Sequence, residues 1–187
     1  MNGHRLLIAA SIIALTLLGY FHFPGHTWLQ SDTQVYLPIL ERLWNPNALA
    51  KDLLAREPHV SFTVYDEVAL LLQRLTGLEF RQVLAAEQLL FRALGILGVF
   101  LLVHALGLAT RPALLATAWF SLGATIAGPA VLVFEYEPVP RGFAIPLLLL
   151  ALGLAAHGRD VGAGVAAAAA FLYHPPSVYP FWVVYFC

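Results

Sequence analysis

The chain has 187 residues, of which 60% are hydrophobic and 11% charged, with a net charge of −1 and a single cysteine. Soluble domains hold roughly 45–50% apolar and about 25% charged residues, so this chain has too little polar surface to cover itself in water, and a lipid-facing surface accounts for the excess. The charge balance leaves no electrostatic footprint for nucleic acid, and the lone Cys187 rules out an intrachain disulfide framework or a cysteine-based metal cluster.

Residues 6–23 form the first apolar block. The block is longer than the apolar core of a signal peptide, and Tyr20-Phe21-His22-Phe23-Pro24 offers no small-residue cleavage site, so it reads as an uncleaved span. Residues 24–83 carry most of the charges and form a large first loop. Within it, Asp32 to Trp44 reads as a helix. Ser31 or Asp32 is its N-cap, Val35, Leu37, Ile39, Leu40 and Leu43 supply apolar surface, and Pro38 lies near the first turn. Asp66 to Leu75 reads as a second helix, with Val64, Val68, Leu71, Leu72 and Leu75 on one stripe. Two amphipathic helices beside a membrane lie along its surface or roof over the spans.

Further spans are expected at residues 84–108, 113–134, 143–156 and 161–173, the last two short enough to require tilting. Residues 181–187 open a sixth apolar run far short of the roughly 20 residues a span needs, so we expect the chain to be an N-terminal fragment cut inside a helix. Arg5, Arg111 and Arg159 fall on one face, which the positive-inside rule makes cytoplasmic together with the N-terminus. The expected fold is therefore an all-α, multi-pass transmembrane helical bundle with a large extracytoplasmic first loop containing two amphipathic helices.

Polar residues that could carry chemistry collect at the outer ends of the spans. Asp32, at the junction of first span and loop, can act as a general base or hold a divalent cation, and can also cap its helix. Glu135, Glu137 and Arg141 flank a proline-rich connection. Arg141 there suits a phosphate, while an internal Glu–Arg pair pinning the hairpin is the equal alternative. His174 is read first as a structural hydrogen-bonding residue. Asp52 is a loop carboxylate most simply solvated or paired, and His59 sits in a stretch that lines a site or merely joins two helices. Glu87 and Arg92 are expected to pair with each other or to lie at the interface. No zinc spacing, phosphate-binding glycine loop, nucleophile elbow or dinucleotide fingerprint occurs.

The order of first span, long outer loop with two surface helices and early acidic residue (Ser31-Asp32-Thr33-Gln34-Val35-Tyr36) resembles the membrane-embedded GT-C glycosyltransferases. The stretch from Arg141-Gly142-Phe143-Ala144-Ile145-Pro146 to Phe171-Leu172-Tyr173-His174-Pro175 is similar to bacterial multi-pass proteins of that kind. The family's adjacent acidic pair is absent, since Thr33 follows Asp32. The resemblance implies a bacterial inner (plasma) membrane protein that transfers a sugar from a polyprenyl-phosphate donor to an acceptor on the extracytoplasmic face. Asp32 would be the base, Arg141 and His174 would hold the lipid phosphate, and Glu135, Glu137, Asp52 and His59 would line the substrate site, with Asp52 a source for the second carboxylate. A transporter or flippase and a non-catalytic membrane subunit are the alternatives.

Overall fold

The computed structural model describes residues 3–22, 24–56, 63–123, 125–126 and 131–186. Its helices are α1 (Gly3–Phe21), α2 (Thr33–Trp44), α3 (Leu53–Arg56), α4 (Tyr65–Thr76), α5 (Phe80–Ala105), α6 (Thr110–Gly123), α7 (Pro140–Ala155), α8 (Asp160–Tyr173) and α9 (Pro175–Phe186). Among the described residues the regular structure is helical apart from one antiparallel ladder of two residues per strand, β1 (Thr125–Ile126) against β2 (Val131–Leu132), with Thr125 opposite Leu132. By length and composition, α1 and α5 are apolar enough to cross a membrane, and α7 and α8 are shorter apolar helices. This points to a membrane-associated chain.

Several expected boundaries move. The apolar block at 113–134 is helical only to Gly123, and the ladder occupies part of the rest. Residues 175–180 are helical rather than a connection: Pro175 and Pro176 open α9, where a missing N–H costs nothing because first-turn donors have no partner inside the helix. Pro38 falls beyond the first turn of α2, so one intrahelical bond is forfeited there. The short α3 was not anticipated; Asp52 caps it, its Oδ1 accepting the N–H groups of Leu54 (2.9 Å) and Ala55 (3.1 Å). Helix α4 ends on Gly77 at φ 69°, a left-handed closure that glycine adopts without strain.

The centre of the molecule is the packing of α7 against α5 on one side and α8 on the other. Small residues permit it. A Cβ built on Gly98 would overlap the Leu149 carbonyl and Leu150 nitrogen, and one on Gly153 would overlap the Gly98 carbonyl, so the two backbones touch directly. The loop helices roof this bundle. Leu40 of α2, with Tyr65 and Ala69 of α4, shares one core with Phe80, Leu84, Phe143, Ala170 and Tyr173. Rings run through it in sequence: Tyr36 to Tyr65 (5.3 Å), Tyr65 to Phe143 (5.8 Å), Phe143 to Phe91 (5.1 Å) and Phe91 to Tyr173 (5.2 Å). These separations lie in the range where offset and edge-to-face pairs add about 0.5–1.5 kcal/mol beyond area burial. The core-facing side of α4 is not the expected stripe: Leu71 and Leu75 are exposed and Val64, Val68 and Leu72 only partly buried, while Tyr65, Asp66 and Ala69 face the core.

Candidate functional site

Where α2, α5 and α7 converge, the segment 135–141 lies under the start of α2 and forms a polar cluster. Glu137 is 4% exposed, and its Oε2 accepts both the N–H (3.0 Å) and the hydroxyl (2.9 Å) of Thr33, the first residue of α2. A carboxylate at a helix N-terminus satisfies an orphan donor and meets the positive end of the helix dipole. Glu137 therefore supplies the cap that Asp32 was expected to supply. Asp32 does occupy the N-cap position, yet its side chain makes no capping bond.

Asp32 turns instead toward Arg141, at 3.4 Å from Nη2, and also accepts a bond from the Ser31 hydroxyl at 3.3 Å. The Nε–H of Arg141 donates to Glu135 Oε1 at 2.8 Å. One guanidinium thus bridges two carboxylates of unequal exposure, with Asp32 at 46% and Glu135 at 6%. Burial pushes the Glu135 carboxyl above the usual range, against the pull of Arg141. For Arg141 burial opposes the charge, but Glu135 and Asp32 outweigh it and raise its pKa. Burial, with Arg141 nearby, lowers His174, whose Nδ1 lies 2.7 Å from the Ser177 hydroxyl. The approach to Asp32 is strained: Leu29 (φ 55°) and Ser31 (φ 41°) are both left-handed, a conformation costing roughly 1–2 kcal/mol per residue outside glycine. Gln34 Nε2 braces it by donating to the Leu29 carbonyl at 2.8 Å.

The backbone beneath is tied to α5. Gln88 Nε2 and Arg92 Nη2 both donate to the Glu135 carbonyl at 2.9 Å, and Arg92 Nη2 also donates to the Gly25 carbonyl at 3.1 Å. His26 Nδ1 sits 2.6 Å from Gln88 Oε1 and its ring stacks on Tyr20; burial lowers its pKa. The Thr27 N–H donates to the Tyr136 carbonyl at 2.9 Å, and the Tyr65 hydroxyl to the Pro138 carbonyl at 2.8 Å. Burial raises Tyr65 well above an ordinary phenol, so it stays a donor. Glu87 and Arg92 do not pair with each other. Both are buried, Glu87 Oε1 accepts from the Tyr173 hydroxyl (3.1 Å), and Glu87 Oε2 and Arg92 Nη1 lack partners among the described residues.

The fold therefore gathers Asp32, Glu135, Glu137 and Arg141, with His174 close enough to feel Arg141. Asp52 is used elsewhere, as the cap of α3. His59 lies outside the described residues. Thr33, Gln88 and Tyr65 complete the cluster without standing out in the sequence as site residues, and Arg92, expected to pair with Glu87 or lie at the interface, joins them; the run of Glu87, Gln88 and Arg92 inside an otherwise apolar block is the signal of an inward-facing polar patch. Among the described residues, no group of three or more His, Cys, Asp or Glu is arranged to hold a metal ion. The Arg141 guanidinium already stands between Asp32 and Glu135, where a cation would have to sit. No protein-family model, curated protein or solved structure matches the chain.

Proposed function

We propose that the chain is a multi-pass membrane glycosyltransferase of GT-C type, working on a polyprenyl-phosphate-linked sugar at the extracytoplasmic face of a bacterial inner membrane. The observation that carries the reading is the Asp32–Arg141–Glu135 bridge, a half-exposed carboxylate and a half-exposed guanidinium held beside a buried anchor. Glu135 keeps the guanidinium in place from the buried side. The contact to Asp32 is longer and joins two half-exposed side chains, so it can exchange.

In this reading the donor phosphate competes with Asp32 for the planar fork of Arg141, which suits paired phosphate oxygens. Its arrival frees the Asp32 carboxylate for the acceptor hydroxyl. The acceptor oxygen bonds to the anomeric carbon as the bond from that carbon to the phosphate oxygen breaks. Asp32 takes the hydroxyl proton, and the electron pair leaves with the lipid phosphate, whose added charge Arg141 stabilises. Glu137 and Thr33 hold the start of α2 so that Asp32 faces this point.

The test is sugar transfer from radiolabelled polyprenyl-phosphate donors in membranes, wild type against Asp32→Asn. A loss of about 100-fold or more with expression unchanged is expected, the scale of a general base. Undiminished transfer removes Asp32 from the chemistry. A second reading, proton-coupled transport, draws on buried Glu87 with its unpartnered oxygen in a membrane-length helix. Solute uptake that depends on Glu87, without any sugar transfer, would favour it.

A further inference from the structure

Helices α1 and α6 pack against each other and start from the same end of the bundle. A Cβ built on Gly19 would meet Leu122 at 3.8 Å and Arg92 at 3.4 Å, so the two helices finish together beside the polar cluster. Parallel register then sets Ser11 beside Leu114 and Leu15 beside Ala118. Towards their N-termini they leave a groove of about 520 Å³, walled by Leu7, Leu15, Leu114 and Leu115 with alanines between them. From Leu7 to Leu15 it runs about 12 Å along α1. Leu115 is 74% exposed, so no described residue closes the outer side. Arg111, at the mouth of the groove, precedes Leu122 by eleven residues of α6, which puts it roughly 16 Å from the end that meets the Asp32 cluster.

Ser11 and Arg111 are the two polar side chains of the lining, and neither makes a hydrogen bond or ion pair among the described residues. Arg111 stands in the first turn of α6, where the helix dipole adds to its positive charge, and Arg5 stands in the first turn of α1 at the same end. Residues 1–31 and 88–134 contain no Asp or Glu, so neither helix, nor the connection from α5, supplies a counter-ion. An apolar trough with an uncompensated cation at its mouth complements a molecule of the opposite plan, an apolar chain that ends in an anion. Because α1 is of membrane length, such a molecule is met in the bilayer. Other occupants fit less well. A free anion leaves the leucines uncovered, and a zwitterionic headgroup brings its own cation against Arg111 and Arg5. A second copy of the chain, meeting this face with its own, would set arginine against arginine.

We propose that the α1–α6 groove binds an anionic glycerophospholipid. The phosphate takes the paired N–H groups of Arg111, and the Ser11 hydroxyl, about one turn deeper, donates to an acyl ester carbonyl. One acyl chain then fills the trough towards Leu15 and Ala118. The assignment rests on the membrane placement of α1 and stands whether or not the Asp32 cluster transfers a sugar.

Native mass spectrometry of the full chain in an amine-oxide detergent tests it by counting bound dioleoyl phosphatidylglycerol and dioleoyl phosphatidylcholine. One phosphatidylglycerol per chain is expected, held at least about fivefold more tightly than phosphatidylcholine, the factor given by roughly 1 kcal/mol of attraction per arginine. Arg111→Gln should bring the two lipids to equal affinity. Arg159→Gln, an equal loss of charge outside the groove, should leave the preference intact. Ala14→Phe fills the groove from an exposed position in its wall with charge unchanged, and should weaken phosphatidylglycerol severalfold. Circular dichroism checks that each variant folds. Asp32→Asn should bind like the wild type even where it abolishes transfer, which separates this inference from the catalytic one. Equal affinity for the two lipids in the wild type would overturn the proposal, as would equal losses in Arg111→Gln and Arg159→Gln, the mark of diffuse surface charge. Saturation by glycerol 3-phosphate at the affinity of the lipid would assign Arg111 to a free anion. Undecaprenyl phosphate bound more tightly than phosphatidylglycerol would make the groove a donor site, and a dimer dissolved by Ala14→Phe would make it an interface between copies. Each of these results overturns the assignment.

Discussion

Gly98→Ala places one methyl group where α5 and α7 touch. The new Cβ would overlap the Leu149 carbonyl and Leu150 nitrogen, atoms of the backbone that cannot rotate aside as a side chain would. Restoring ordinary contact requires the helices to part by about 1 Å, with loss of dispersion along the whole crossing. Overpacking of this kind costs about 3 kcal/mol at the upper end of its range. The gain in helix propensity returns about 1 kcal/mol, leaving a net loss near 2 kcal/mol. For a chain of this size that lowers Tm by about 4–8 °C. Gly164→Ala is the matched control. A Cβ at Gly164 meets nothing within 4 Å, so only the propensity gain remains and Tm should rise by about 2–4 °C. Thermal unfolding in one detergent, followed by circular dichroism, reads both. Shifts of the same sign and size would refute the direct backbone contact at Gly98. Because α5 carries Gln88 and Arg92 and α7 carries Arg141, Gly98→Ala should also reduce sugar transfer.

Two further outcomes follow from the polar cluster. Glu137→Ala strands the Thr33 N–H and hydroxyl, both buried, and should cost about 2 kcal/mol. Adding Thr33→Val should recover part of that loss, and additive losses in the double-mutant cycle would mean the two residues are not coupled. Stability should also fall on acidification. The folded-state pKa values of His174 and His26 lie below the ordinary value near 6.5, so their contribution is complete above about pH 6.5 and is lost as pH drops through the folded values. Glu135, raised, has the opposite sign: its contribution is present at low pH and lost as pH climbs through its folded value. Tm measured from about pH 8 to about pH 5 in wild type and His174→Gln isolates the histidine part. A profile no flatter in the variant would exclude His174 as a contributor.

The sequence alone determined the elements whose signals are local. The membrane-length apolar runs at α1 and α5 and the two amphipathic loop helices follow from composition and periodicity over windows of one or two dozen residues. Asp32, Glu135, Glu137 and Arg141 stood out as polar groups at the borders of apolar blocks, but as separate candidates. Only the tertiary structure decided how they combine. Glu137 caps a helix that begins 104 residues earlier in the chain, and no spacing rule reaches that far. Once that cap is in place Asp32 is released from it and can meet Arg141, a partner settled by the segment 135–141 lying under the start of α2. The block at 113–134 departs from expectation for a related reason: its apolar composition suits strand as well as helix, and periodicity does not separate the two in short apolar runs. Hydropathy records how much surface must leave water. Which polar atoms then find one another depends on where the backbones touch, and here that is set by glycines at the crossing of α5 and α7.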